Sequence, residues 1–354
     1  MAPLRYHWSI RRKPMHHPSD HTVLVLATSF LDQPVTAHPE AGAARALLEE
    51  TAAGSDGAVT IRYRCDRNPA TELTAAELTG ITAIIADLER YPEGLLHEVG
   101  PAGGGALRII CRYGVGTDSV DVPAATRAGV MVTNTPGCNS LPTAEWAVTT
   151  LLDVAGRRIV HHERAAAGNP KIGPSRLDIT GKRLGVVGTG QIGRRVVELL
   201  SGFQLDVVAS DPYPNHEWAQ AHGVRYVSLD ELIDESDFIT LHAAHREQMI
   251  GVREVARFRP DTVLINCARW VLVDNRAVYH AVREGRMYGY GVDETWTEPD
   301  LPLAGLNIAT SPHVGSDTDS GKINMQLATA RQVVQFLAGQ TPDNLLNPET
   351  LQRK

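Results

Sequence analysis

Gly188, Gly190 and Gly193 stand in a G-x-G-x-x-G pattern, and an acid, Asp211, follows about twenty residues after it. These types at this spacing suit the binding of a dinucleotide. The first glycine permits a tight turn, the second lets the backbone approach a pyrophosphate, and the third lets a helix pack closely on a strand. The helix that follows would aim free N–H groups and the positive end of its dipole at the phosphates. Asp211 can accept hydrogen bonds from ribose hydroxyls and would repel a 2′-phosphate, so NAD rather than NADP is the cofactor predicted. A glycine-rich turn in an ordinary α/β domain is what the motif alone would mean. The flanks favour the dinucleotide. Leu184–Val187 reads as a buried strand; Ile192, Val196, Val197, Leu199 and Leu200 give the next stretch an apolar helical face; and the apolar run Leu205–Ala209 leads to Asp211.

The elements that must position this motif fill a chain of 354 residues, long enough for two domains. A net charge of −7 argues against a nucleic-acid-binding surface. Cys65, Cys111, Cys138 and Cys267 are scattered without C-x-x-C or zinc spacing, which reads as small core residues in a reducing cytosol and no metal site. No apolar run reaches the ~20 residues of a membrane helix. Residues 1–21 carry Arg5, Arg11, Arg12 and Lys13 with several prolines and histidines and no apolar core, so a disordered basic arm is expected there, not a secretory signal.

Strand patterns at Val23–Ala27, Ala58–Tyr63, Ile81–Ala86, Leu107–Cys111 and Val130–Thr133 alternate with helical stretches at Ala41–Ala53 and Thr74–Leu78 and with a short helix before Val130. Thr143–Gly168 reads as one long helix, capped by Thr143, that connects this region to the fingerprint. After Asp211 the alternation resumes, with strands at Val224–Val227, Phe238–Leu241, Val263–Asn266, Tyr288–Val292 and Ile308–Thr310. Helices are expected at Leu229–Asp234, Val252–Arg257 and Arg276–Glu284, and a last helix from about Asp317 to Gly339. Such alternation predicts parallel α/β domains in tandem.

From Leu107 to Pro312 the chain resembles the D-specific 2-hydroxyacid dehydrogenases. The resemblance is carried by CRYGVGTDSVD, VTNTPGCNSLPTAEWAV, the fingerprint itself, LINCAR followed by VLVDNRAV, GYGVDETWTEP and SPHVG, in the family's order. It implies an α/β fold of two doubly wound Rossmann-like domains, with the NAD-binding domain (143–316) inserted into a substrate domain (22–142 and 317–345) and the active site in the cleft between them. It also implies three catalytic residues. His313 matches the acid/base histidine, whose ordinary pKa near 6.5 suits proton transfer either way. Glu298 matches the acid that hydrogen-bonds the histidine, and Arg269 the arginine whose planar fork grips the carboxylate and carbonyl oxygens of an anionic substrate. The backbone around Val115 and Gly116 resembles the loop that receives the substrate carboxylate. On the cofactor side the resemblance places Gln191 and Ile192 of the fingerprint with His242, Cys267 and Asp293. Asp293 would orient Arg269 or the nicotinamide amide, or make a structural hydrogen bond.

Departures from the family bear on the substrate. His242-Ala243-Ala244-His245-Arg246 replaces the usual His-x-Pro-Leu-Thr, Trp270 stands where glycine usually follows the arginine, and Trp146 stands where histidine is common. With Trp296, these tryptophans either reshape the pocket or pack the core. Arg90, His245 and Arg246 could meet a second anion, which favours a phosphorylated or phosphonylated 2-hydroxy acid. Oxidation of an aldehyde hydrate or a phosphorus oxyanion by the same residues is the alternative within the enzymes. A non-catalytic NAD sensor, like the co-repressors of this fold, is the alternative outside them. A cytoplasmic homodimer is expected, associating through the nucleotide domain and the helix at Thr143–Gly168. No long regulatory domain is expected after the closing helix.

Overall fold

The computed structural model describes residues 20–31, 38–66, 68, 71–169, 171 and 173–352. The basic arm expected over residues 1–21 lies outside these except for its last two positions, and His21 opens the first strand. The chain divides into two compact units. One holds the described residues up to Cys138 and from Lys322 onward, and the other holds Asn139–Gly321.

The first unit is a five-stranded sheet of β1 (His21–Val25), β2 (Val59–Tyr63), β3 (Ala83–Ala86), β4 (Ile109–Arg112) and β5 (Met131–Thr133). Its order is β2-β1-β3-β4-β5, with every neighbouring pair parallel. Helices α1 (Ala43–Ala53), α2 (Glu93–Val99) and α3 (Val122–Ala128) lie in three of its four crossovers. All four residues of β3 and of β4 are buried, as a strand covered by helices on both faces requires. Thr74–Leu78 forms turns rather than the expected helix, with the Glu77 carboxylate accepting from the Thr74 N–H at 2.9 Å.

The second unit opens with α4 (Ser140–Ala155) and α5 (Arg158–Ala166), where one long helix was expected. The break falls at Gly156 and Arg157. Arg157 adopts a left-handed backbone (φ 49°) and lays its guanidinium over the Tyr288 ring, 4.2 Å from the centroid. Thr143 is not the cap: the helix begins at Ser140, and the Thr143 hydroxyl donates to the Asn139 carbonyl inside the first turn. Far from standing alone as a connector, α4 is part of this unit's core, where Ala147, Leu151 and Val154 pack with Leu184, Val186 and Ile265.

Seven parallel strands follow: β6 (Arg183–Val187), β7 (Asp206–Ser210), β8 (Arg225–Tyr226), β9 (Phe238–Leu241), β10 (Val263–Asn266), β11 (Gly289–Val292) and β12 (Ile308–Thr310). Their order is β12-β11-β10-β9-β6-β7-β8. Between them run α6 (Gln191–Leu199), α7 (His216–His222), α8 (Leu229–Glu235), α9 (Val252–Val255) and α10 (Asn275–Arg283). The strand order reverses direction at β6, and at such a switch point the carboxyl ends of the strands leave room for a ligand. From Lys322 onward, α11 (Asp319–Leu337) belongs to the first unit, and its Ile323, Leu327, Ala330 and Val333 join the core of that unit. This is the two-domain Rossmann-like architecture that the sequence implies, one unit being inserted in the sequence of the other.

Candidate active site

The fingerprint does at close range what its residue types promise. β6 leads directly into Gly188, whose φ of 91° favours glycine, and a Cβ there would lie 2.8 Å from the Ala243 nitrogen and the His242 carbonyl carbon. A Cβ on Gly193 would lie 2.1 Å from the Gly188 oxygen, so only glycine lets α6 come this near the turn. Gly190 is the N-cap of α6 and no side chain caps the helix, leaving its first N–H groups for an anion. Ile192 packs beneath in the core, and Gln191 accepts a hydrogen bond from the Ser140 hydroxyl at 3.2 Å.

Asp211 closes the motif. One carboxylate oxygen accepts from the Thr189 N–H (2.6 Å) and hydroxyl (3.1 Å), and the other accepts from the Tyr213 N–H (2.8 Å). A carboxylate offers about four acceptor positions, so the oxygen facing Tyr213 keeps one for a ribose hydroxyl. Tyr226, which sequence reading overlooked, hydrogen-bonds the Thr189 hydroxyl at 2.7 Å and so braces the same corner. These residues fit an NAD ribose and pyrophosphate.

His242 follows β9 and reaches the turn because its N–H donates to the Val187 carbonyl at 2.7 Å. Its Nε2 pairs with the Thr240 hydroxyl at 2.8 Å, and burial pushes its pKa down to about 4, so the ring is neutral at ordinary pH. Cys267, just past β10, is buried and its thiol is held protonated by that burial.

The histidine loop is built on β11 and β12, whose parallel register sets Val292 opposite Thr310. Just beyond, Asp293 is 5% exposed and accepts three hydrogen bonds from the loop. They come from the Ser311 hydroxyl (2.6 Å), the Val314 N–H (2.9 Å) and the Gly315 N–H (2.8 Å). Of the uses expected for Asp293, the structure therefore shows the structural hydrogen bond. Trp146 adds a further strut, its indole N–H donating to the Ser311 oxygen at 3.2 Å. His313 sits at the tip with a left-handed backbone, φ 57°.

Its Nδ1 lies 2.7 Å from a Glu294 oxygen. A carboxylate only accepts, so the ring proton is on Nδ1, and Nε2 is left to take or give a proton. The hydrogen bond that His313 donates to Glu294 raises the pKa of the histidine above its ordinary value, with the charges of Glu294 and Asp293 adding to the effect. Burial and the nearby Arg269 oppose it.

The expected pairing of Glu298 with His313 is corrected by these distances. Glu298 instead accepts from Arg276 of α10 at 2.6 Å, and Arg276 also holds Asp300 at 2.6 and 3.0 Å. The physical reason lies in the aromatic residues. The Trp296 ring meets Trp270 edge-on at 5.5 Å and Tyr279 at 6.2 Å, and its indole N–H donates to the Leu301 carbonyl at 3.1 Å. Trp270 and Trp296 thus pack together against the core and draw residues 296–301 toward α10.

Arg269 stands at the end of β10, on a turn braced by Asn266, which is 1% exposed. The Asn266 oxygen accepts from the Ala268 and Arg269 N–H groups, and its amide donates to the Arg269 carbonyl at 2.7 Å. The guanidinium donates to the Ala268 carbonyl at 2.7 Å. Asn266, Ser311 and Glu294 were missed from the sequence. For Glu294 a signal was present, an acid two residues past the end of a strand pattern.

Val115, Gly116 and Arg90 belong to the first unit. There the loop of Val115 and Gly116 is tied down by Asn134, whose amide donates to the Val115 carbonyl at 2.8 Å, and by Thr135, whose hydroxyl accepts from the Gly114 N–H at 3.1 Å. Arg90 is exposed, beside the bridge of Tyr91 with Val120.

Residues 148–315 match the profile of the D-isomer specific 2-hydroxyacid dehydrogenase NAD-binding domain. A glyoxylate reductase of Korarchaeum cryptofilum is 36% identical over 258 residues, 69% of this chain and 77% of that protein. A D-3-phosphoglycerate dehydrogenase of Methanocaldococcus jannaschii is 34% identical over 251 residues, which are 68% of this chain and 48% of that longer protein. Among solved structures, the TT0316 protein of Thermus thermophilus superposes with a TM-score of 0.75 at 28% identity, covering 92% of this chain and 99% of that one. The chain belongs to the D-isomer specific 2-hydroxyacid dehydrogenase family. It is an NAD-dependent oxidoreductase of the kind that interconverts 2-hydroxy and 2-oxo acids.

Proposed function

We propose that the protein reduces a small, unphosphorylated 2-oxo acid with NADH and oxidises the corresponding 2-hydroxy acid in reverse. The observation that carries this reading is His313, with Nδ1 bound to a carboxylate and Nε2 left for substrate, in the same unit as Arg269 and the fingerprint. NAD, when bound, supplies the acceptor for the hydride leaving C2. In oxidation His313 Nε2 takes the hydroxyl proton, and in reduction it returns it. Arg269 holds the substrate carboxylate and steadies charge on the carbonyl oxygen. Residues 143–316 serve the cofactor, and the loop of Val115 and Gly116 serves the substrate carboxylate.

Substrate size is read from two facts. The relatives matched over most of their length include glyoxylate reductases, whereas the phosphoglycerate dehydrogenase matches over about half of its own. The cations considered for a phosphate, Arg90, His245 and Arg246, are exposed, and His245 has Glu247 at 4.0 Å. A screen of 2-oxo acids, phosphorylated and not, followed by NADH absorbance, tests the reading. Faster turnover of a phosphorylated acid would overturn the choice of substrate. NADH binding without turnover of any acid would favour the sensor instead.

Selectivity for NAD over NADP should be at least ~100-fold in catalytic efficiency, from repulsion between Asp211 and a 2′-phosphate. Asp211→Gly should weaken NAD binding and narrow that ratio, and equal efficiency of the wild type with both cofactors would show that Asp211 does not face the ribose.

We also propose a two-fold dimer formed through the NAD-binding domain, the commonest closed assembly. Leu141 of α4 and Leu199 of α6 leave apolar side chains in solvent, 48% and 42% exposed, as partners for such a contact. Sedimentation should give twice the 38.4 kDa of the chain at micromolar concentration, and a monomer there would overturn the proposal.

A further inference from the structure

We propose that Glu294 is the positioning carboxylate of His313 in this protein, and that Glu298 serves instead as half of an ion-pair latch that fixes the segment between them. The inference rests on the reading of His313 as the acid/base. Three observations on the strand ends carry it.

Backbone register is the first. β11 and β12 are parallel neighbours, with Val292 opposite Thr310, so Glu294 and His313 leave adjacent strands two and three residues past a matched pair. Asp293 and Glu294 then divide the work on the histidine loop. Asp293 is buried and takes the backbone and serine donors, while Glu294 takes the ring nitrogen at 2.7 Å.

The second is that Glu298 is committed elsewhere. Arg276 donates to it at 2.6 Å and to both oxygens of Asp300, so three charged groups already satisfy one another beside α10. Moving Glu298 to His313 would break that set and leave Arg276 with Asp300 alone.

The third is the aromatic anchor. Trp296 lies between the two glutamates, and its contacts with Trp270, Tyr279 and the Leu301 carbonyl fix the path of the chain after Glu294. Trp270 occupies a position where glycine is usual in this family. Its ring supplies one wall of the site that receives Trp296, so the exchange of carboxylates goes with a change that the sequence itself records.

The charged groups facing the His313 ring are Glu294 and Asp293 from the end of β11 and Arg269 from the end of β10. Removing the Glu294 charge and its hydrogen bond should therefore lower the pKa of the ring, leaving only the charge of Asp293 to raise it against burial and Arg269, which favour the neutral form. Glu294 is partly exposed, and glutamine keeps its shape, so Glu294→Gln should fold.

The experiment is a proton-NMR titration of the His313 ring in wild type, Glu294→Gln and Glu298→Gln, assigned by its loss in His313→Gln, beside pH–rate profiles of the same proteins. We expect Glu294→Gln to lower the His313 midpoint and to move the oxidation limb to lower pH by the same amount. Glu298→Gln should leave both where they are and lower the melting temperature. A midpoint that falls in Glu298→Gln and stays put in Glu294→Gln would overturn the assignment. A midpoint that falls in Glu294→Gln while no acid is turned over would uphold the pairing and reject the enzymatic reading, so the two failures are distinguishable.

Discussion

Replacing His313 with alanine should cut the turnover number by at least ~100-fold in either direction, the usual contribution of a positioned general base or acid. NADH affinity should change little, because the fingerprint and Asp211 do not depend on the imidazole. Stopped-flow rates and NADH fluorescence titration measure the two quantities, and a variant near full activity would show that the proton moves elsewhere. With His313 as the proposed acid/base, its raised pKa should set the pH dependence as well. Reduction needs the proton on the ring and should persist above the ordinary imidazole range, whereas oxidation should require a pH above the raised value. The same pairing couples folding to pH. Its stabilisation is fully present below the ordinary imidazole value and is lost as pH rises through the raised one.

Gly193→Ala should be the most damaging single methyl in the NAD-binding unit. The added carbon would fall 2.1 Å from the Gly188 carbonyl oxygen, and both partners are backbone, so no side chain can turn aside. Either α6 slides away from β6 or the Gly188 turn opens, and both spoil the place where phosphate would meet the helix. Overpacking of this kind costs about 3 kcal/mol. For a unit of this size that is a fall in Tm of about 6–12 °C, with NAD affinity reduced by at least ~10-fold. Calorimetry and NADH titration on the variant would test it, and unchanged values of both would refute the packing described here.

How much of this was legible beforehand follows from the range of the interactions concerned. The fingerprint could be read because its demands are local: a left-handed turn at Gly188, an uncapped helix start at Gly190, a close crossing at Gly193. The strands could be read because buried parallel strands are continuous apolar runs. The helix expected over Thr143–Gly168 broke at Gly156 and Arg157 for a distant reason, since the Arg157 guanidinium rests on Tyr288, more than a hundred residues on. The exchange of Glu298 for Glu294 was hidden in the same way. Both acids lie in one short segment of GYGVDETWTEP, and which of them meets His313 depends on where Trp270, Tyr279 and Arg276 draw the chain. The tryptophans that suggested a reshaped pocket turned out, for Trp270 and Trp296, to pack with each other, and Trp146 to hold the serine of the histidine loop.

The clamp that Asp293 places on that loop has a consequence for exchange with solvent. The N–H groups of Val314 and Gly315 both end on one buried carboxylate, and neither can meet deuterium until the loop lifts from β11. Those two amides directly follow a histidine whose side chain is half exposed, so they form a protected pair within an accessible turn. Their isotope uptake reports the free energy of opening the histidine loop, with no substrate or cofactor present.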